Sequence, residues 1–113
     1  MILHIKEDAI HVTGPLVKEQ WPVFRSVVAL LLNQYQRGGI IDISGLTDIS
    51  EAGAQTLVEA SSFARARNSR IVIVAPPGKI LDKIELSSAL AVQLIFFPSI
   101  EHARAALEAG ELP

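Results

Sequence analysis

Residues 40–53 read IIDISGLTDISEAG, and this stretch decides the fold. Its apolar, β-branched start, Ile40–Ile43, is typical of a short strand. The polar part that follows, Ser44–Ser50, is predicted to be a loop. A helix is predicted to begin at about Glu51 and to end near Arg67. A strand, a loop and a helix in this order are the repeating unit of an α/β fold.

The chain before this stretch opens with two short alternating segments. Ile2–Lys6 and Ala9–Thr13 each alternate apolar and polar residues, and Glu7-Asp8 lies between them. They are therefore predicted to form two strands joined by a tight turn. Gly14-Pro15 is predicted to end the second strand.

A first helix is predicted between these strands and residue 40. Its apolar residues recur at spacings of three and four, which places them on one face. That face consists of Trp21, Phe24, Val28, Leu31 and Tyr35, and it is widened by Val23, Val27 and Leu30. Pro22 fits the first turn, where a missing N–H costs nothing, and Gly38-Gly39 ends the segment.

The second half of the chain repeats the alternation of strand and helix. Ile71-Val72-Ile73-Val74 is a continuous β-branched run, as expected of a strand covered on both faces. A short third helix follows Pro76-Pro77-Gly78, and Gln93–Phe97 is predicted to be the last strand. A final helix is predicted to be capped by Ser99 and stopped by Gly110.

Together these elements predict one α/β domain that spans residues 1–113. Its sheet has four to five strands, is mixed but largely parallel, and is accompanied by about four helices. The opening pair of strands is expected to add an antiparallel edge.

Composition excludes several classes of protein. The chain has no cysteine, so disulfides and thiolate chemistry are excluded. Its net charge of −2 and the lack of a basic run argue against direct nucleic-acid binding. The N-terminus does not resemble a signal peptide, and the longest apolar run, Val27–Leu32, is too short to span a bilayer. We therefore expect a cytoplasmic protein without membrane insertion.

Half of the residues are hydrophobic, which is more than so small a domain can bury. Part of the apolar surface is therefore expected to face a partner or a second copy of the chain, as in a homodimer.

No arrangement typical of an enzyme is present. His4, His11 and His102 are scattered, and the first two are interpreted as cross-strand neighbours with no carboxylate nearby. Ser44-Gly45 lacks the frame of a nucleophile elbow, and Pro77-Gly78-Lys79 lacks the glycine and hydroxyl of a phosphate loop. We predict no catalytic residue, no metal and no cofactor.

The segment Asp42–Gly53 resembles the motif of STAS domains, the fold of the anti-sigma factor antagonists. In that family a strand ends in an Asp-Leu-Ser-like turn, and an Asp-Ser-Ser-Gly or Asp-Ser-Thr-Gly sequence begins a helix. The matching residues are Asp42, Ser44, Gly45, Thr47, Ile49 and Gly53. The order of elements matches over essentially the whole chain.

The resemblance implies a protein-binding module that docks through the helix after the motif. In the bacterial sigma-regulating branch, the partner is an anti-sigma factor that is also a kinase, and the first serine of the motif accepts the phosphate. Here Ser50 takes the place of the motif's Asp, Glu51 that of the phosphorylated serine, and Ala52 that of the second hydroxyl residue.

Two interpretations of Glu51 remain open. Ser50 and Glu51 suit a well-capped helix, because the first turn has unpaired N–H groups and a partial positive charge. Alternatively, the fixed carboxylate imitates a phosphorylated state or marks a branch that never used phosphorylation. The hydroxyls of Ser44, Thr47 and Ser50 are the remaining candidate acceptors.

The docking face is predicted from the periodicity of the second helix. Ala54, Leu57, Val58, Ser61 and Ala64 form the buried stripe, which leaves a separate outer stripe. The predicted partner surface consists of Asp48, Ser50, Glu51, Ala52, Gln55, Thr56, Glu59 and Phe63. Phe63 is interpreted either as an exposed anchor or as a side chain packed under the first or third helix.

Two alternative functions are kept. The chain resembles STAS components of anion or lipid transport assemblies, where the partner is a transporter subunit and phosphorylation is unnecessary. It also fits a small-ligand sensor, since open α/β sheets bind nucleotides or lipids beyond the carboxyl ends of their strands. Those ends are predicted at Ser44–Ser50 and Ala75–Gly78.

Overall fold

Strands and helices alternate along the chain after an opening hairpin. A computed structural model describes residues 1–87 and 93–110. The strands are β1 (Ile2–Lys6), β2 (Ala9–Leu16), β3 (Gly39–Ile49), β4 (Ile71–Val74) and β5 (Phe96–Phe97). The helices are α1 (Trp21–Gln34), α2 (Glu51–Ala66), α3 (Lys79–Leu86) and α4 (Ile100–Ala109).

The strands form one mixed sheet in the order β1-β2-β3-β4-β5. β1 pairs with β2 in antiparallel fashion, and every other neighbouring pair is parallel. Within the described residues, five strands and four helices confirm the predicted α/β class with its antiparallel edge.

The two faces of the sheet are covered unequally. On one face, Ile41 and Ile73 belong to a large apolar core with buried side chains from α1, α2 and α3. On the other face, Ile40, Val72 and Val74 pack against Ala103 and Leu107 of α4. β4 is buried on both faces, as its β-branched run predicted.

Two strands run further than predicted. β2 continues through Gly14-Pro15 to Leu16, and β3 continues to Ile49, so the predicted strand end and the predicted Ser44–Ser50 loop are wrong. The two strands stay paired from Ala9 to Leu16, with one register shift between His11 and Thr13 and another between Gly14 and Pro15, where Gly14 has a φ of 84°. Leu46 and Ile49 point into the core, while the polar residues between them face solvent.

The buried face of α1 is narrower than predicted. Phe24, Val28 and Leu31 are buried, but Val23 and Leu30 are 50% and 57% exposed. The prediction that these two residues widen the core is therefore wrong. The last strand is also shorter than predicted, since only Phe96–Phe97 pairs with β4.

His4 and His11 are cross-strand neighbours, as predicted, with ring centroids 6.4 Å apart. The prediction that no carboxylate lies near them is wrong, because Nδ1 of His11 is 2.8 Å from Oδ2 of Asp42. In residues 1–87 and 93–110 no group of three or more histidine, aspartate or glutamate side chains is arranged to hold a metal ion.

Candidate protein-docking site

The start of α2 is fixed by its cap and by the end of β2. The hydroxyl of Ser50 accepts a hydrogen bond from the Gly53 N–H at 3.1 Å, which confirms the N-cap prediction. The Ser50 N–H donates to the carbonyl oxygen of Leu16 at 3.1 Å. The first turn of α2 is therefore held directly against the last residue of β2.

We expect Ser50→Ala to lower the free energy of unfolding by about 1 kcal/mol, because an N–H of the first turn loses its partner. Ser50→Asp, which keeps an N-cap acceptor, is the matched control and should retain most of the stability. Urea unfolding of both variants measures the difference. Equal stability of Ser50→Ala and the wild type would show that the cap contributes nothing.

Gly53 has no room for a side chain. A Cβ built there would lie 1.9 Å from the carbonyl oxygen of Leu16 and 2.7 Å from its carbonyl carbon. This position is therefore filled by the backbone of β2 and offers no surface to a partner. The small size of Gly53 lets α2 approach β2.

The outer side of the first two turns of α2 reaches solvent. Glu51 and Ala52 are exposed, while Gln55 and Glu59 are half-buried and joined by a hydrogen bond of 3.2 Å between Nε2 and Oε1. Asp48, at the end of β3, is also exposed. Five residues of the predicted surface thus lie where another protein can reach them.

Thr56 does not belong to this surface. Its side chain is buried, and its hydroxyl oxygen accepts the Gln20 N–H at 2.9 Å and lies 3.3 Å from Oε1 of Glu19. The segment that leads into α1 therefore covers Thr56, and the prediction that it faces a partner is wrong.

Phe63 packs inside the monomer. Its ring meets Trp21 of α1 edge to face at a centroid distance of 5.5 Å, and the Arg67 guanidinium lies 5.1 Å from its centroid. Phe63 is half-buried, so the interpretation as an exposed anchor is wrong and the alternative, packing against the first helix, is confirmed.

A groove of about 430 Å³ lies beside the exposed start of α2. One side is formed by Asp48, Ser50 and Glu51, and the other by Lys83, Ile84 and Leu86 of α3. Sequence reasoning missed the α3 side. The sequence signal was Leu86, an apolar residue that lies outside the apolar stripe of Ile80, Leu81 and Ile84. In the structure Leu86 is 86% exposed.

Lys83 and Asp48 form an ion pair across this groove. The hydrogen bond from Lys83 lowers the pKa of the Asp48 carboxyl, and a further one from the backbone N–H of Ile49 acts in the same direction. Asp48 therefore stays ionised to lower pH than an isolated aspartate, and the pair is lost only as the pH falls through that lowered value.

The remaining candidate hydroxyls lie on β3 and not in a loop. Ser44 and Thr47 are both exposed, and the Ser44 N–H donates to Oδ1 of Asp42 at 3.0 Å. A smaller pocket of about 170 Å³ lies between Ser44 and the turn Ala75–Gly78. This pocket lies beyond the carboxyl end of β4, but β3 runs on past it to Ile49, so the predicted rim at the ends of both strands is wrong for β3.

Fold and site together define a small α/β domain that presents a capped, solvent-exposed helix start beside an apolar groove. The chain belongs to the STAS domain family, whose family model matches residues 2–103. STAS domains are typically regulatory or binding domains without enzymatic activity.

Solved structures share the fold at low identity. A putative anti-sigma factor antagonist from Thermotoga maritima is 15% identical with a TM-score of 0.70, and the match covers 95% of this chain and 93% of that one. The anti-sigma factor antagonist SpoIIAA in its unphosphorylated form is 12% identical with a TM-score of 0.62, over 96% and 97% of the two chains. At these identities the likeness shows the fold alone.

A part of a much longer chain is equally similar. The murine anion transporter Slc26a9 in its inward-facing state is 20% identical with a TM-score of 0.70, and the match covers 89% of this chain. It covers only 17% of the transporter chain, so the present chain corresponds to a small part of it. No curated protein matches the sequence closely enough to count as a relative. Across the helices in the described ranges, none has the length and apolar character needed to cross a membrane.

Proposed function

We propose that this chain is a protein-binding regulatory module of the anti-sigma factor antagonist kind, which docks its partner through the N-terminal part of α2. The observation that carries the proposal is the exposure of Glu51 and Ala52 on a helix start that is otherwise anchored to β2. A rigid, accessible helix end can be recognised without reorganisation of the monomer, so little ordering cost opposes binding.

Glu51 makes this docking face independent of phosphorylation at that position. Its carboxylate has no hydrogen-bond or ion-pair partner within residues 1–87 and 93–110. A carboxylate carries one negative charge, whereas a phosphoserine carries about 1.5 to 2 and three acceptor oxygens. Glu51 is therefore a constant part of the partner surface and not a copy of a switched state.

The proposed partner is an anti-sigma factor of the kinase type in the bacterial cytoplasm, as the resemblance to the sigma-regulating branch implies. The proposal includes no enzymatic activity, no cofactor and no direct contact with nucleic acid. The groove beside Glu51 supports a protein partner, since the exposed Leu86 on its α3 side offers apolar area next to charged side chains.

Ala52→Arg tests the docking face. An arginine at this exposed position obstructs a partner seated on the first turn of α2, and we expect the dissociation constant to rise at least about 100-fold. The partner is first isolated with the wild-type chain and identified by mass spectrometry, and its affinity for each variant is then measured by calorimetry. Ala66→Arg is the matched control, because it places the same side chain at the exposed far end of the same helix.

Unfolding curves of both variants should superimpose on that of the wild type, since both alanines are exposed. Unchanged affinity of Ala52→Arg, or an equal loss for Ala66→Arg, would remove the N-terminal part of α2 as the docking face.

A second candidate is a STAS component of a lipid or anion transport assembly. The presence of Glu51 at the acceptor position favours it, because such a component needs no phosphate. The identity of the isolated partner separates the two candidates: a kinase-like anti-sigma factor supports the first, and a permease or transport ATPase supports the second.

The pocket beside Ser44 offers little room for the small ligand of the third alternative. The cavity between Ser44 and Ala75–Gly78 is about 170 Å³, below the roughly 300 Å³ at which ligand sites begin. Chemical-shift changes confined to those residues on addition of a nucleotide or a lysolipid would support a small-ligand sensor.

A further inference from the structure

We propose that the groove beside α2 receives a basic side chain of the partner, and that Lys83 occupies this place in the free protein. The assignment rests on the proposed function, since it names what the partner brings to the same docking face. Three features carry it: two carboxylates that border the groove, an internal ion pair that crosses it, and an exposed leucine on its α3 side.

Two acidic side chains and one basic side chain border the groove. Asp48 and Glu51 belong to the side formed by the end of β3 and the start of α2, and Lys83 belongs to the α3 side. Lys83 is paired with Asp48. Glu51 has no hydrogen-bond or ion-pair partner within residues 1–87 and 93–110. The groove therefore has an excess of one negative charge, and one of its carboxylates has no counter-ion.

The partial positive charge at the start of α2 does not reverse this sign. A helix start is equivalent to about half an elementary charge, whereas Glu51 places a full negative charge in the first turn. The Gly53 N–H is already used, because it donates to the Ser50 hydroxyl. The groove is therefore complementary to a cation and not to an anion.

The internal ion pair shows which group fits the groove. The Lys83 ammonium reaches from α3 to Oδ1 of Asp48, so a cation at the end of an aliphatic chain already lies there. The side chains of Lys83 and Asp48 are 51% and 52% exposed, and an ion pair this exposed contributes little to stability. A basic side chain of the partner can therefore replace Lys83 at small cost.

The displaced lysine has open space beside it. A second hollow of about 300 Å³ lies on the other side of the ion pair. It shares Asp48, Lys83 and Leu86 with the groove, so the pair stands between the two. The Lys83 side chain can turn into this second hollow and stay in contact with solvent. Replacement of Lys83 therefore requires no movement of the backbone.

Leu86 indicates the apolar neighbour of the basic side chain. It is 86% exposed and borders both hollows. Its spacing of three from Lys83 places the two side chains next to each other on α3. An exposed leucine beside two carboxylates suits an apolar residue together with the aliphatic stem of an arginine or lysine. The partner segment that fits is therefore basic and apolar in neighbouring positions.

A short peptide tests this chemistry without the partner. The ¹⁵N-labelled protein is titrated with a dipeptide of arginine and leucine that is blocked at both ends, and amide chemical shifts are recorded. We expect changes at Asp48, Glu51 and Lys83, and a dissociation constant at least about 3-fold lower in Lys83→Ala, because the internal competitor is gone. The matching dipeptide of glutamate and leucine is the control and should leave these amides unchanged.

Calorimetry with the partner isolated by the wild-type chain tests the same prediction at the full interface. Lys83→Ala should lower the dissociation constant at least about 3-fold, and Glu51→Gln should raise it by at least as much. Lys79→Ala is the matched control, because it removes the same charge one turn earlier on α3, at a residue that borders the second hollow and not the groove. It should change the affinity less than about 2-fold at physiological salt.

A double variant separates competition from a general effect of charge. Asp48→Asn removes the carboxylate that Lys83 occupies, so Lys83→Ala should improve the affinity less in that background than in the wild type. An equal improvement in both backgrounds would show that Lys83 does not compete for Asp48, and would overturn the proposal.

Unchanged or weaker binding in Lys83→Ala would also overturn it, as would equal shifts with the acidic dipeptide or an equal gain in Lys79→Ala. If Ala52→Arg abolishes partner binding while Lys83→Ala has no effect, the docking face stands and the basic side chain is rejected. If the arginine dipeptide binds as expected but Ala52→Arg leaves partner affinity unchanged, the groove chemistry stands and the proposed docking face is rejected.

Discussion

Gly53→Ala is expected to lower the free energy of unfolding by about 3 kcal/mol, although alanine is the better helix former. Helix propensity alone predicts a gain of about 1 kcal/mol. The structure predicts a loss, because the new Cβ would lie 1.9 Å from the Leu16 carbonyl oxygen. The obstacle is backbone and not a flexible side chain, so α2 must move away from β2, and overpacking of this kind costs about 1–3 kcal/mol or more. Urea unfolding followed by circular dichroism measures the change.

Ala52→Gly is the matched control for this prediction. Ala52 occupies the same turn but is exposed, so its replacement measures the propensity term without the contact. It should cost about 1 kcal/mol or less. If Gly53→Ala stabilised the protein instead, the close approach of α2 to β2 would not exist in solution.

The motif that identified the fold did not reveal why its glycine is needed. Gly53 was matched only from the pattern of residue types. The contact that requires it comes from Leu16, 37 positions earlier, and it exists only because β2 extends beyond Gly14-Pro15. Local sequence gives no sign of a contact made at that separation.

The full length of β3 could not be predicted from local sequence for a related reason. Ser44, Thr47 and Asp48 are polar residues of the kind found in loops, yet they lie on a strand that is paired with β2. Leu46 and Ile49 supply the buried positions, and the register shifts in β2 interrupt a strict alternation. Composition predicted a loop because the stretch combines a glycine with exposed polar side chains, whereas tertiary pairing decides the outcome.

The outer face of α2 was predicted in part. Helical periodicity correctly separated the buried residues Ala54, Leu57 and Val58 from the exposed residues Glu51 and Ala52. It did not show that the Glu19-Gln20 segment covers Thr56, or that Trp21 covers Phe63. A helical wheel gives directions around one helix, but it does not say which directions a neighbouring segment occupies.

Asp42 is the second position at which we expect a large effect, again on stability. It is the first residue of the matched motif, and its side chain is 10% exposed. Oδ2 lies 2.8 Å from Nδ1 of His11 on β2, and Oδ1 accepts the Ser44 N–H at 3.0 Å. The carboxylate thus ties β3 to β2 and fixes its own strand where the register shifts. By alternation with Ile41, Asp42 lies on the sheet face that α4 covers and not on the α2 side, which indicates a structural role.

Asp42→Ala should therefore cost about 2–3 kcal/mol, since it leaves a backbone N–H and an imidazole without their charged partner. Asp42→Asn keeps an acceptor for the Ser44 N–H and should cost about half as much. The double variant with His11→Ala isolates the contribution of the imidazole, and we expect a coupling energy of about 1 kcal/mol. Partner affinity, measured under conditions in which each variant is folded, should stay at the wild-type value. A stable Asp42→Ala protein that no longer binds the partner would instead place this carboxylate in the docking face, because a residue that only stabilises the sheet has no effect on the affinity of the folded molecule.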